Sequence, residues 1–295
     1  MIFLSIAPIF ILAAIQEAPT ESKPSVHYHE PTVGDPAQKK KDEAFILTLR
    51  LAAQMSDRKR DPVRWASTQL LLGIALKEHH ELPEAETVMR SALEEIEIAH
   101  REDEAGYLRF RAEYASLLVD AGKLKDAEIV YKKLLPVAAS VFGKKNVKNL
   151  SIRSDYLMLQ VALRQFGDAE IEAKSILDDG LSVLGAEDPN MIDARMQLAN
   201  ALTYQSKNAE AEPHYRAVIP LIERMYGSVD GRTLLIRYNL ALCLRGQKKY
   251  VEALDLAHQI ENGAQQGLSK DDPLQKDFEK LRKEMEEATA KGSGK

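Results

Sequence analysis

The sequence predicts an all-α chain, an α-solenoid of five stacked helix–turn–helix repeats with a capping helix at each end. Ala85, Ala127, Ala169, Ala211 and Ala253 lie 42 residues apart without one insertion. Four of these alanines sit between acidic residues, as in Asp126-Ala127-Glu128. Gly73, Ala115, Leu157, Ala199 and Ala241 stand twelve residues earlier in each copy. Self-similarity at a fixed period of this size marks a stacked repeat, in which each copy buries its apolar face against its neighbours.

Each copy reads as two helices. In the fourth, Ile192, Met196, Leu198, Ala199 and Leu202 fall at helical spacing between Met191 and Gln205. After a break at Ser206–Asn208, Ala211, Tyr215, Val218 and Ile222 repeat the pattern up to Tyr226. Small residues at 199 and 211 let the two backbones approach closely. Gly143, Gly185 and Gly227 are expected to end second helices in the left-handed conformation. Pro136 and Pro220 share one register inside second helices and are expected to bend them.

The repeats are placed at 63–104, 105–146, 147–188, 189–230 and 231–272. Residues 39–57 fall at the register of a second helix and 273–290 at that of a first, so both are read as capping helices. Asp272-Pro273 follows Asp188-Pro189 by 84 residues, two periods. Residues 291–295 form a tail.

The chain has 295 residues, 45 Asp+Glu against 40 Lys+Arg, and one Cys. A net charge of −5 excludes a generally basic nucleic-acid-coating protein, and one Cys excludes a disulfide framework. Met1 to Ile15 is uncharged and apolar, shorter than the about 17 to 25 residues a membrane span needs. Residues 1–16 are therefore read as a signal peptide, and the protein as exported, periplasmic or secreted, with no membrane span after its removal. Pro19, Pro24, Pro31 and Pro36 make residues 17–38 a disordered, Pro-rich linker. His27 and His29 within it read as tail histidines rather than a metal site.

Tyr238-Asn239-Leu240-Ala241, followed by Gly246-Gln247-Lys248-Lys249-Tyr250-Val251-Glu252-Ala253, carries a family resemblance. It is similar to the N-L-A and Q-G-K-Y-x-E-A signature of the tetratricopeptide repeat (TPR), in the 42-residue form of kinesin light chains. Gly246 and Gln247 stand in swapped order. Ala199 and Ala211 match the family's small positions and Tyr215 its aromatic one. The resemblance covers about Val63 to Gly267. It implies a right-handed solenoid whose first helices line a concave, partner-binding surface, with no catalytic activity and no cofactor. Leu70 and Ile74 stand where the family's clamp for C-terminal carboxylates needs Lys and Asn, so that partner class is not implied.

No phosphate loop, dinucleotide fingerprint or nucleophile elbow occurs, and no catalytic residue or metal ligand is assigned. Cys243 reads as a small buried hydrophobe, and adjacent His79 and His80 point to different sides of a helix. Groove-facing positions of the first helices give the candidate partner-binding residues. They are Arg109, Ser116 and Asp120 in repeat two and Ser154 and Met158 in repeat three. Repeat four adds Asp193, Met196, Asn200 and Thr203 with Tyr204 beside them, and repeat five Tyr238, Leu242 and Arg245. Met, Tyr and Asn on one face suit an elongated protein or peptide.

Arg111, Arg153, Arg195 and Arg237 form a row at one register. It could hold an anionic ligand, giving an accessory or regulatory domain as the alternative function. The competing reading pairs these arginines with loop acids such as Glu104, Asp188 and Asp230. A second row, Glu86, Glu128, Glu170 and Glu212, is left unpaired with the arginines, because the helices run antiparallel.

Overall fold

A computed structural model describes residues 36–99 and 105–292. The leader, most of the linker, the His27/His29 pair, Glu104 and the last three residues lie outside the described residues. Among the described residues there are twelve α-helices and no strand. They are α1 (Pro36–Met55), α2 (Pro62–Glu78), α3 (Leu82–Ile98), α4 (Ala105–Asp120), α5 (Leu124–Phe142) and α6 (Val147–Ala162). Then come α7 (Phe166–Leu184), α8 (Pro189–Tyr204), α9 (Asn208–Tyr226), α10 (Gly231–Gly246), α11 (Tyr250–Gly267) and α12 (Pro273–Gly292). Helices α5 and α9 run on through Pro136 and Pro220, and α9 through Pro213 as well. The described residues divide into two compact bodies at residue 159/160, inside α6.

The 42-residue period is written into the helix starts. Asn146, Asp188, Asp230 and Asp272 stand one period apart and each accepts the backbone N–H two residues on, at 2.9, 2.9, 3.0 and 2.9 Å. A side-chain oxygen there satisfies one of the orphan donors of the first helical turn.

The turn between the two helices of a repeat is equally regular. His80, Gly122, Arg164, Ser206 and Lys248, again one period apart, have φ of 60, 72, 60, 61 and 62°. Four of these five are not glycine, so tertiary packing holds a left-handed residue that local preference disfavours. The backbone N–H one residue later closes the turn, as Lys207 N–H on Leu202 O (2.9 Å) and Lys249 N–H on Leu244 O (3.0 Å).

The glycines after the second helices depart from expectation. Gly185 has φ 82°, ψ 165° and Gly227 φ 95°, ψ 160°, an extended backbone at positive φ rather than the left-handed helical one. That region admits essentially glycine alone, so the residue type was right for a stricter reason.

Packing follows the small positions. Ala85, Ala127, Ala169, Ala211 and Ala253 are all fully buried, as are Ala115, Leu157, Ala199 and Ala241. In the first repeat a Cβ on Gly73 would lie 2.1 Å from Met89 Cγ, so glycine there makes room for a bulky partner on α3.

In the 36–159 body α1 packs on α2 through Ile46 and Ala53, and Arg50 pairs with Glu81 and Glu84 at 2.8 and 2.7 Å. In the 160–292 body α12 buries Leu274, Phe278, Leu281 and Met285. Its outer face carries Lys276, Glu279, Lys280, Lys283, Glu286 and Glu287, all exposed.

The glutamate row has a partner that the sequence reading did not give it. Lys123 Nζ reaches Glu86 (2.7 Å), Lys207 reaches Glu170 (2.7 Å) and Lys249 reaches Glu212 (2.7 Å). Gln205 and Gln247 donate to the same carboxylates at 2.9 and 2.7 Å. Each tie joins the turn of one repeat to the second helix of the repeat before.

Hydrogen bonds from Lys174, then Lys207, hold the Glu170 carboxyl down to about 2. Burial opposes ionisation of Glu212, but Lys249, Gln247 and Arg216 outweigh it and bring that carboxyl to about 2 as well. A carboxyl whose pKa is depressed on folding stabilises the fold above its unfolded value of about 4.3, and the contribution drains as pH falls toward the folded value. Stability should therefore drop between about pH 4.5 and 2. Urea midpoints across that range should fall less steeply in Glu170→Gln than in the parent, and parallel slopes would contradict the tie.

Candidate functional site

Within the 160–292 body the antiparallel pair α8–α9 and the following helix α10 enclose a cleft of about 210 Å³. Thr203 and Tyr204 line it from the end of α8, and Asn208 and Tyr215 from α9. Asn239, Leu242, Arg245 and Gly246 line it from α10.

Its floor is a hydrogen-bonded chain. The Tyr215 hydroxyl donates to Asn200 Oδ1 at 2.7 Å, and Asn200 Nδ2 donates to Gln197 Oε1 at 3.1 Å. Thr203 Oγ1 lies 3.4 Å from the Tyr215 oxygen and donates to Ala199 O at 2.9 Å. Burial pushes the Tyr215 phenol far above its ordinary range, so it stays neutral.

The wall is aromatic. Tyr204 stacks on Phe166 with centroids 4.5 Å apart and planes 7° from parallel, and burial raises its phenol to about 12. Arg245 is held at the rim by Glu284 of α12, 2.5 Å away. Any Cβ on Gly246 would meet Asn208 Nδ2 at 2.3 Å, so glycine keeps α9 and α10 close at this end.

Asn239 is the unusual member. The residue is 4% exposed, yet its Oδ1 makes no hydrogen bond among the described residues. One period earlier Gln197 is equally buried and its Nε2 also has no partner. An unmet buried acceptor costs about 1–3 kcal/mol, and the residue that carries this one, Asn239, lines the cleft.

The candidate residues from the sequence divide three ways. Thr203, Tyr204, Leu242 and Arg245 come together at the cleft. Ser154, Met196, Asn200 and Tyr238 are buried, Tyr238 against Phe278 with centroids 5.5 Å apart. Arg109 is exposed; Ser116, Asp120, Met158 and Asp193 are half-buried, and Ser116 accepts from Lys77 at 3.0 Å. Burial, with Asp188 nearby, raises the Asp193 carboxyl to about 7.

Asn208, Tyr215, Asn239 and Gly246 line the cleft without having been assigned to it. The cleft-lining stripe on α10 runs 239–242–246, one residue on from the stripe counted through 238. The signal available was the N-L-A signature itself, whose first member is Asn239.

Two members of the arginine row carry acids at a spacing the sequence reading did not consider. Arg111 pairs with Glu97 at 2.9 Å and Arg237 with Glu223, each fourteen residues earlier. Position 139 is Ala and 181 is Leu, so the same partner is not encoded for Arg153 or Arg195. Arg153 is buried and Arg195 half-buried. Asp188 and Asp230 cap α8 and α10 instead. Cys243 Sγ donates to Asn208 O at 3.0 Å, and burial raises its thiol pKa, which makes it an inert packing residue.

Residues 190–266, the stretch containing this cleft, match the profile of the tetratricopeptide repeat. The chain folds as tetratricopeptide repeats. A crystal structure of BtubC (BKLC) from P. vanneervenii superposes with a TM-score of 0.62 at 15% identity, over 81% of this chain and 96% of that one. A kinesin light chain of nearly identical TPR-like repeats from Podosopora anserina superposes with a TM-score of 0.58 at 17% identity, over 73% of this chain and 100% of that one. No curated protein sequence matches the chain. At these identities the TPR neighbours establish the fold and nothing about the ligand.

Proposed function

We propose that this TPR chain is a non-catalytic scaffold that binds an elongated protein or peptide along its first helices, with the α8–α10 cleft as a main-chain contact. The observation that carries the reading is a cleft walled by Tyr204 and Leu242 and lined by Asn239, whose buried Oδ1 has no donor among the described residues. Such a site recognises an extended backbone by its N–H and accepts varied side chains against the aromatic wall. An anion along the arginine row would have to displace Glu97 and Glu223, so the anionic-ligand alternative has less support.

The test uses a displayed library of random peptides selected against the full chain. Selected peptides should bind Asn239→Ala at least tenfold more weakly, about 1.4 kcal/mol, while its circular dichroism and thermal midpoint stay at the parental values. Undiminished affinity would remove the cleft from the reading.

The uncharged leader supports export as part of the same proposal. Intact mass of native material should then lack about the first 16 residues. Protein beginning at Met1 would contradict it.

A further inference from the structure

The two end helices treat water differently. The outward face of α12 is charged, whereas on α1 Ala44, Phe45, Leu47, Thr48, Leu51, Ala52 and Met55 are all exposed and none is charged. At 100° per residue these positions fill one continuous arc of roughly 160°, opposite Ile46 and Ala53, which face α2. Phe45, Leu47, Leu51 and Met55 are 59, 58, 52 and 86% exposed.

The repeat register shows what the same positions meet further along the chain. Leu47 and Leu51 stand one period before Met89 and Leu93 of α3, which are buried.

We infer that the α1 face is a self-association surface, covered in solution by α1 of a second copy. Leu47, Leu51 and Met55 form a row at four-residue spacing, flanked by the small residues Ala44, Thr48 and Ala52. Two such rows pack antiparallel about a two-fold axis at Leu51, with Leu47 of each copy against Met55 of the other. The absence of charge on the arc means identical faces meet without repulsion.

The four large side chains expose on the order of 500 Å² together, at the top of what a monomer usually leaves bare. Two copies bury about 1,000 Å², near the lower limit for a specific interface, so the dimer is concentration-dependent.

Sedimentation of the full chain over a micromolar concentration series decides this. The weight-average mass should rise from one chain toward two. Leu47→Glu with Leu51→Glu should weaken association at least tenfold, with unchanged helicity. Should that pair disturb folding, Thr48→Lys, at an exposed position on the same arc, reads the same contact. A monomer at every concentration, whether the face stays bare or the chain's own leader covers it, overturns the inference. A dimer that survives these substitutions also overturns it.

Discussion

Tyr215→Ala should destabilise the 160–292 body by about 3–5 kcal/mol, the usual cost of deleting a fully buried aromatic side chain. Tyr215 has no exposed surface and fills the space between α8 and α9, at the register where Met89 and Tyr131 are also fully buried. Its removal also strips Asn200 Oδ1 of the 2.7 Å hydrogen bond it accepts. Tyr215→Phe keeps the ring and loses only that bond, so it should cost about 1–2 kcal/mol. Urea denaturation followed by circular dichroism measures both. If the two variants were equally stable, the ring would not be holding the helix pair together.

Ala211→Leu should be the second large effect, about 3 kcal/mol, from the opposite cause. Ala211 and Ala199 are fully buried where α9 crosses α8, and added methylenes have no void to enter. Overpacking pushes the helices apart, whereas Ala211→Gly leaves the contact and costs about 1 kcal/mol through backbone freedom. A chemical-denaturation midpoint for Ala211→Leu at the parental value would show that the small register is not a close-approach site.

The architecture was legible because a repeat states its contacts many times over. The alanine row fixed which surfaces meet, and the Asp188 and Asp272 registers fixed where helices begin. The turn register was hidden because His80, Arg164, Ser206 and Lys248 share a conformation without sharing a chemistry. The lysine ties were harder still: Lys123, Lys207 and Lys249 repeat, but their partners lie 37 residues earlier, a spacing that belongs to the stack and not to any helix. At the cleft, amphipathic counting placed the right face of α10 and missed its centre by one residue. Tyr238 looked like a groove aromatic because nothing in α10 announces that Phe278 of α12 will cover it.

Hydrogen exchange on the full chain, with and without a peptide selected from the random library, tests the groove assignment most directly. Residues 203–208 and 239–246, the borders of the cleft, should gain protection when peptide is bound, and Asn239→Ala should abolish the gain. Protection confined to the outer faces of α7, α9 and α11, or a gain that persists in Asn239→Ala, would place the partner elsewhere on the chain.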